Sequence, residues 1–216
     1  MKVFSALFVS GLLFAGEYDD RLRAAEQRYN TARTLQVDFQ QQYLARGRGR
    51  KTESGRLYIQ KTGRMLWQYR EPEGKFFLTD GKFAYLFVPR TNRVEKAKLK
   101  ETADQRSPIA FLLGKLSFKR DFEDFAYKET PEGLEITAFP KRQEQLSAEK
   151  VVFVLSPQNE VRRLVLTNID NSVMEFTFSN EKINVDLAVS VFRFERPAGA
   201  ELVEVTGLEF GGMELW

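Results

Sequence analysis

GRLYIQKTGRMLWQYREPEGKFFLTDGKFAYLFV, residues Gly55 to Val88, decides the fold. Four strand-like runs stand here in tandem, at 55–61, 64–70, 75–80 and 82–88. They are separated by Thr62-Gly63, Glu71-Pro72-Glu73-Gly74 and Asp80-Gly81. Glycine and proline supply the backbone angles that turns require. In the second run Met65, Trp67 and Tyr69 alternate with Arg64, Gln68 and Arg70, and only Leu66 breaks the polar set. A side-chain period of two places one apolar row on one sheet face. The stretch therefore reads as an antiparallel meander with one greasy, aromatic face.

Working outward, residues 34–43 repeat the pattern. Leu35, Val37, Phe39 and Tyr43 alternate with polar residues, interrupted only by Gln41. Before them, residues 17–33 carry Leu22, Ala25, Tyr29 and Ala32 at helical spacing, with Asp19 or Asp20 as a cap. Residues 93–99 form a charged, edge-like strand. Ser107-Pro108 opens a short helix, with Ser as N-cap and Pro at the first helical position. The body of that helix, Ile109-Ala110-Phe111-Leu112-Leu113, is apolar all round and must insert into something, either as a core plug or as a lid on a cavity. Further strands are expected at 125–129, 134–139, 150–155, 160–170, 173–179 and 190–194. About eleven strands at regular spacing imply one curled antiparallel sheet or barrel with helices added, a mainly β, α+β fold.

Composition narrows the chemistry. The 216 residues contain neither Cys nor His, which removes thiolate catalysis, the usual general base and the commonest metal ligands. No nucleophile elbow, P-loop, dinucleotide fingerprint or zincin motif occurs. A net charge of +3 gives no reason to expect nucleic acid. Glu201, Glu204, Glu209 and Glu214 make the C-terminal end acidic, against a basic body. The Arg46-to-Lys51 segment is a basic, glycine-spaced loop, read either as a hairpin tip or as a patch for an anionic partner. At the start, Lys2, the short apolar run 3–14 and the small pair Ala15-Gly16 form a secretory signal peptide pattern. The expected organisation is a signal peptide at 1–16, one domain at 17–203 and an acidic tail at 204–216.

Several pieces in order carry a resemblance. They are the leading helix into LQVDFQQ (35–41), GRLYIQKTGRMLWQY (55–69) followed by Pro72, the DGK turn (80–82) with FAYLFVP (83–89), SPIAFLLGK (107–115) and FRFERPAGAELV (192–203). Together they resemble the LolA family of periplasmic outer-membrane lipoprotein carriers, over roughly residues 20–203. The resemblance implies an incomplete β-barrel with helices as a lid over a hydrophobic cavity. It also implies acylated lipoproteins as cargo, an inner-membrane ABC transporter complex as donor and an outer-membrane acceptor. It implies no enzyme activity, no cofactor and no metal, in a periplasmic monomer. The cavity is expected to be lined by Leu35, Val37, Phe39, Leu57, Ile59, Met65, Trp67, Tyr69, Phe76 and Leu78. Leu22 and Tyr29 of the first helix, with Ile109, Phe111, Leu112 and Leu113, form the expected lid. The family's lid-latching Arg falls at Lys61, its following Pro at Thr62 and its cavity-mouth aromatic at Met65, while its Trp is kept as Trp67. Lys61 keeps the charge but lacks the planar donor fork of Arg. A lipoprotein-binding sensor module, a carrier of another lipid such as a glycolipid, and a carboxylate-based enzyme on lipids stay open as alternatives.

Overall fold

A computed structural model describes residues 10–44, 50–61, 63–99, 116–141 and 148–206. The helix α1 (Ser10–Thr31) leads into β1 (Thr34–Leu44), β2 (Lys51–Gln60), β3 (Arg64–Glu71), β4 (Phe76–Asp80), β5 (Phe83–Val88) and β6 (Arg93–Lys98). A one-turn helix α2 (Phe118–Asp121) precedes β7 (Phe122–Thr130), β8 (Gly133–Pro140), β9 (Ala148–Leu155), β10 (Val161–Asn168) and β11 (Val173–Ile183). After a 3-10 turn at Val189–Phe192, β12 (Glu201–Glu204) ends the described chain.

The twelve described strands join one sheet in the order β12-β6-β5-β4-β3-β2-β1-β11-β10-β9-β8-β7. Two meanders, β1–β6 and β7–β11, meet along the β1/β11 seam, where Phe39 faces Phe178 and Tyr43 faces Met174. Each neighbouring pair is antiparallel except β12 on β6, which is parallel. The sheet is open and curled, an incomplete barrel, and it matches the fold class expected from strand spacing.

Three details differ from the sequence expectation. The first helix begins at Ser10 rather than at residue 17, so it runs through the expected signal-peptide boundary. The expected strand at 190–194 is a 3-10 turn followed by extended chain. Its Phe192 and Phe194 lie on the outer surface of the sheet, where no strand edge is available to bond, so alternation there reflects docking on a face. The twelfth strand, Glu201–Glu204, was too short and too charged to stand out. The expected short helix at 108–113, with Ile109, Phe111, Leu112 and Leu113, lies outside the described residues, as do 45–49 of the basic loop and the tail from 207 onward.

The sheet buries apolar side chains on both faces of its first half. The inner layer runs through Leu35, Leu57, Trp67, Phe77, Phe153 and Phe176 and continues into α1. The outer layer holds Leu78, Tyr85, Phe87 and Val94 beneath Phe192 and Phe194 of the C-terminal segment, with Tyr85 stacked on Phe194 at 4.1 Å between ring centroids. Gly55 is fixed by this geometry. A Cβ there would lie 2.1 Å from the backbone oxygen of Gln68 on the next strand, so any side chain would push β2 and β3 apart.

Candidate lipid-binding face and its helical cover

Strand register stacks the inner-face residues in rows. Leu35, Ile59, Met65 and Thr79 form the first row, and Val37, Leu57, Trp67 and Phe77 the second. Phe39, Gly55 and Tyr69 form the third. Trp67 is the centre. It is fully buried, its indole N–H donates toward the Met65 sulfur, and Phe39 meets it edge-on at 4.7 Å. Phe39 also meets Tyr69 edge-on, and Trp67 touches Phe176 across the β1/β11 seam. Edge-to-face pairs suit aromatic quadrupoles and add stabilisation beyond area burial. The rows form a dry, polarizable surface.

Eight of the ten expected lining residues stand on this face. Phe76 and Leu78 do not. Trp67 pairs with Phe77, so Phe76 and Leu78 point to the outer layer, where Phe76 packs against Phe87 and Phe194. Phe76-Phe77-Leu78 is an unbroken apolar run, so nothing local says which of its residues faces inward. Lys75 is on the inner face and only 2% exposed.

Lys75 is held there by Glu53, whose carboxylate accepts its ammonium at 2.7 Å and is 3% exposed. The ammonium also sits 4.2 Å from the centroid of the Tyr69 ring. Burial pushes the Lys75 ammonium down to about 8, against the opposing pull of Glu53. Tyr69 in turn donates to Gln41, and Lys51, half-exposed at the rim, adds a second cation to Glu53 at 3.0 Å. Gln41, Glu53, Lys75, Phe77 and Phe176 are inner-face residues that sequence reading did not assign to the site. Only the pairing register, which no local pattern encodes, brings them together.

The cover is α1. Leu22, Ala25 and Tyr29 are its buried stripe, as the helical spacing predicts. A polar network fixes it to the second meander. Tyr29 donates to Glu181 at 2.6 Å and accepts from the backbone N–H of Val161 at 2.8 Å. Arg28 forks onto Glu181 and reaches Glu160. Arg21 bonds Asn159 and the Ser156 carbonyl. Burial, reinforced by the charge of Glu181, raises the Tyr29 phenol well above its usual value.

Toward the first meander the ties among the described residues are fewer. Lys61 donates its ammonium to the Asn30 carbonyl, in the last turn of α1. A helix leaves its final carbonyls without intrahelical donors, and a cation suits that end of the dipole. Lys61 therefore does grip a helix carbonyl, but that of α1. The carbonyls expected to receive it, at 109–114, lie outside the described residues.

A separate cleft of about 780 Å³ opens on the outer face, between β2–β4 and the C-terminal segment, and Arg56, Tyr58, Gln68, Arg70, Val191 and Arg193 are among its walls. Asp38 anchors Arg56 at 2.7 Å, and this bond holds the Asp38 carboxyl below its usual range.

An open, curled sheet that wraps an aromatic inner face beneath one long helix defines a class of half-barrels with a helical cover. The profile described as "Outer membrane lipoprotein carrier protein LolA" matches residues 30–195, and the chain belongs to that family. The outer-membrane lipoprotein carrier protein of Chromobacterium violaceum is 28% identical over 178 residues, spanning 80% of this chain and 82% of that one. The protein of the same name from Pseudomonas putida is 26% identical over 212 residues, covering 94% of this chain and all of that one. Among solved structures, an uncharacterized conserved protein from Thermus thermophilus superposes with a TM-score of 0.53 at 13% identity, covering 88% of this chain and 99% of that one. MucB superposes with a TM-score of 0.54 at 11% identity, covering 87% of this chain and 66% of that one. These two likenesses concern the fold alone.

Proposed function

We propose that this protein carries acylated lipoproteins across the periplasm, taking them from an inner-membrane ABC transporter complex and passing them to an outer-membrane acceptor. The observation that carries the reading is the aromatic inner face, centred on the fully buried Trp67 and roofed by the buried stripe of α1. In the empty protein these surfaces satisfy each other. Acyl chains compete with the helix for the same face, so loading and opening are one equilibrium.

Self-filling also solves the release problem. Burying one methylene contributes about 0.8 kcal/mol, so three long chains fully buried on an open face would gain on the order of 30 kcal/mol and never leave. A face that must first shed its own helix gains far less. The remaining work falls to the donor complex, and the carrier makes and breaks no covalent bond.

The test is purification of the full chain from periplasm, followed by identification of bound molecules by mass spectrometry. Triacylated lipoproteins near one-to-one, absent when the cargo's lipidated Cys is replaced by Ala, are the expected result. A folded, monodisperse protein carrying glycolipid alone, or no acyl compound, overturns the reading.

A further inference from the structure

The inner face changes character along its length. The first two rows are apolar apart from Thr79, which is bonded to the Gly63 carbonyl. The third ends at Tyr69, whose ring carries the Lys75 ammonium on its face. In the first meander the next row is polar, with Gln41 opposite Glu53. One row further, Lys51 meets solvent at the rim. The Glu53–Lys75 pair therefore lies one row in from that end of the barrel, on the face where acyl chains are proposed to lie. At 3% and 2% exposure it is part of the interior rather than of the rim.

We infer that the Glu53–Lys75 pair is the closed end of the acyl site and sets the longest chain the face accommodates. This rests on the carrier reading above. A chain entering from the Met65 and Lys61 end runs past Trp67 and reaches Tyr69 after roughly 13 Å, the span of four strand residues. There it meets two mutually satisfied charges. Advancing further would part them, leaving the Lys75 ammonium buried without its carboxylate and Glu53 with only the half-exposed Lys51, which apolar contact does not offset. Several features make the end specific. The ammonium is held from below by an aromatic ring and from the side by a carboxylate. Gln41 accepts from the Tyr69 hydroxyl and donates to the Met174 sulfur, which ties the polar end of the first meander to the β1/β11 seam, where Gln41 stands opposite the apolar Phe176.

The experiment measures Kd for a homologous series of saturated N-acylglycines, from short to long, on the full chain. Each buried methylene should tighten binding about fourfold until the chain reaches the pair, after which Kd levels off. In Glu53→Leu/Lys75→Met the levelling should vanish and long chains should keep gaining affinity. The charge-reversed Glu53→Lys/Lys75→Glu restores a pair and should restore the plateau. A purely structural pair would shift the melting temperature and leave the length dependence alone. If wild type binds with a plateau that the apolar double variant keeps, the inference is wrong. If wild type binds no acylglycine at all, the carrier reading fails first and the inference with it. Wild type alone supplies an independent check. A long acylglycine with a terminal diazirine should label Tyr69 or Lys75, and labelling confined to Met65 and Lys61 would reverse the orientation and overturn the proposal.

Discussion

Asn30 and Leu116 hold each other through a reciprocal pair of hydrogen bonds. The Asn30 side-chain amide donates to the Leu116 carbonyl at 2.7 Å, and the Leu116 N–H donates to the Asn30 side-chain oxygen at 3.0 Å. One side chain thus imitates a strand partner for the backbone at Leu116. Because the Asn30 carbonyl also receives Lys61, three segments converge on one residue: the end of α1, the β2–β3 turn and the chain entering β7. Glu26 repeats the device one turn earlier by accepting from the Phe118 N–H.

Replacing Asn30 with Ala removes both side-chain bonds. Each hydrogen bond contributes about 0.5–1.5 kcal/mol, so a loss of roughly 1–3 kcal/mol is expected in denaturant unfolding. Hydrogen exchange should accelerate in the last turn of α1 and at Leu116, and an apolar fluorescent probe should bind more tightly. Unchanged exchange at Leu116 would show that the pair is dispensable.

Tyr29→Phe tests the tie to the second meander. It strands the buried Val161 N–H and deprives Glu181 of a donor, so a loss of about 1–3 kcal/mol is expected at neutral pH. The pH dependence has a definite sign. The folded phenol titrates well above 10, so above pH 10 the unfolded chain loses a proton that the folded chain keeps. Stability is complete below pH 10 and falls as pH rises toward the folded value. The wild type should lose its advantage over Tyr29→Phe as pH rises above 10. A constant difference across that range would refute the assignment.

Lys61→Met probes the exposed latch. Its bond to the Asn30 carbonyl is solvent-exposed, so the melting temperature should hardly move. Faster exchange of the α1 C-terminal amides and faster uptake of an acylated peptide are expected. A Lys61→Arg variant should slow uptake instead, because its planar fork can bond two carbonyls at once. Equal uptake rates in all three proteins would remove Lys61 from the opening step.

Gly55→Ala isolates backbone proximity from side-chain chemistry. The added methyl meets the Gln68 oxygen, so β2 and β3 must separate next to Trp67 and Tyr69. A loss of about 3 kcal/mol is expected, as for overpacked cores. Retention of the wild-type melting temperature would mean that the strands can part there without cost.

The first meander was legible because its turns are marked by Gly and Pro and its strands alternate. Met65, Trp67 and Tyr69 announced the inner face by spacing alone. Phe76-Phe77-Leu78 could not announce its parity, because both faces of that strand are covered and a run of apolar residues has no period. The inward Lys75 was equally illegible, since a buried lysine becomes acceptable only beside a carboxylate, here twenty-two residues away. The cover's anchors were invisible for a similar reason. Glu181 and Glu160 lie more than 130 residues from Arg28, and nothing in their neighbourhoods distinguishes them from surface acids. The β1/β11 seam has the same origin, being a contact between distant segments fixed only when the two meanders pair.

The C-terminal segment that lies over β3–β6 has a mechanical consequence. With apolar layers on both sides, that half of the sheet is a three-layer plate, and β12 stiffens its edge. The outer face of β8–β11 instead presents Arg163 among Glu132, Glu135 and Glu175, with no described segment laid across it. Bending a single pleated layer disturbs far fewer contacts than bending a plate. On the carrier reading proposed above, widening of the barrel is expected to fall to the β7–β11 half as a moving jaw, carrying α1 by its Tyr29 and Arg28 anchors, with the Trp67 half as the fixed anvil.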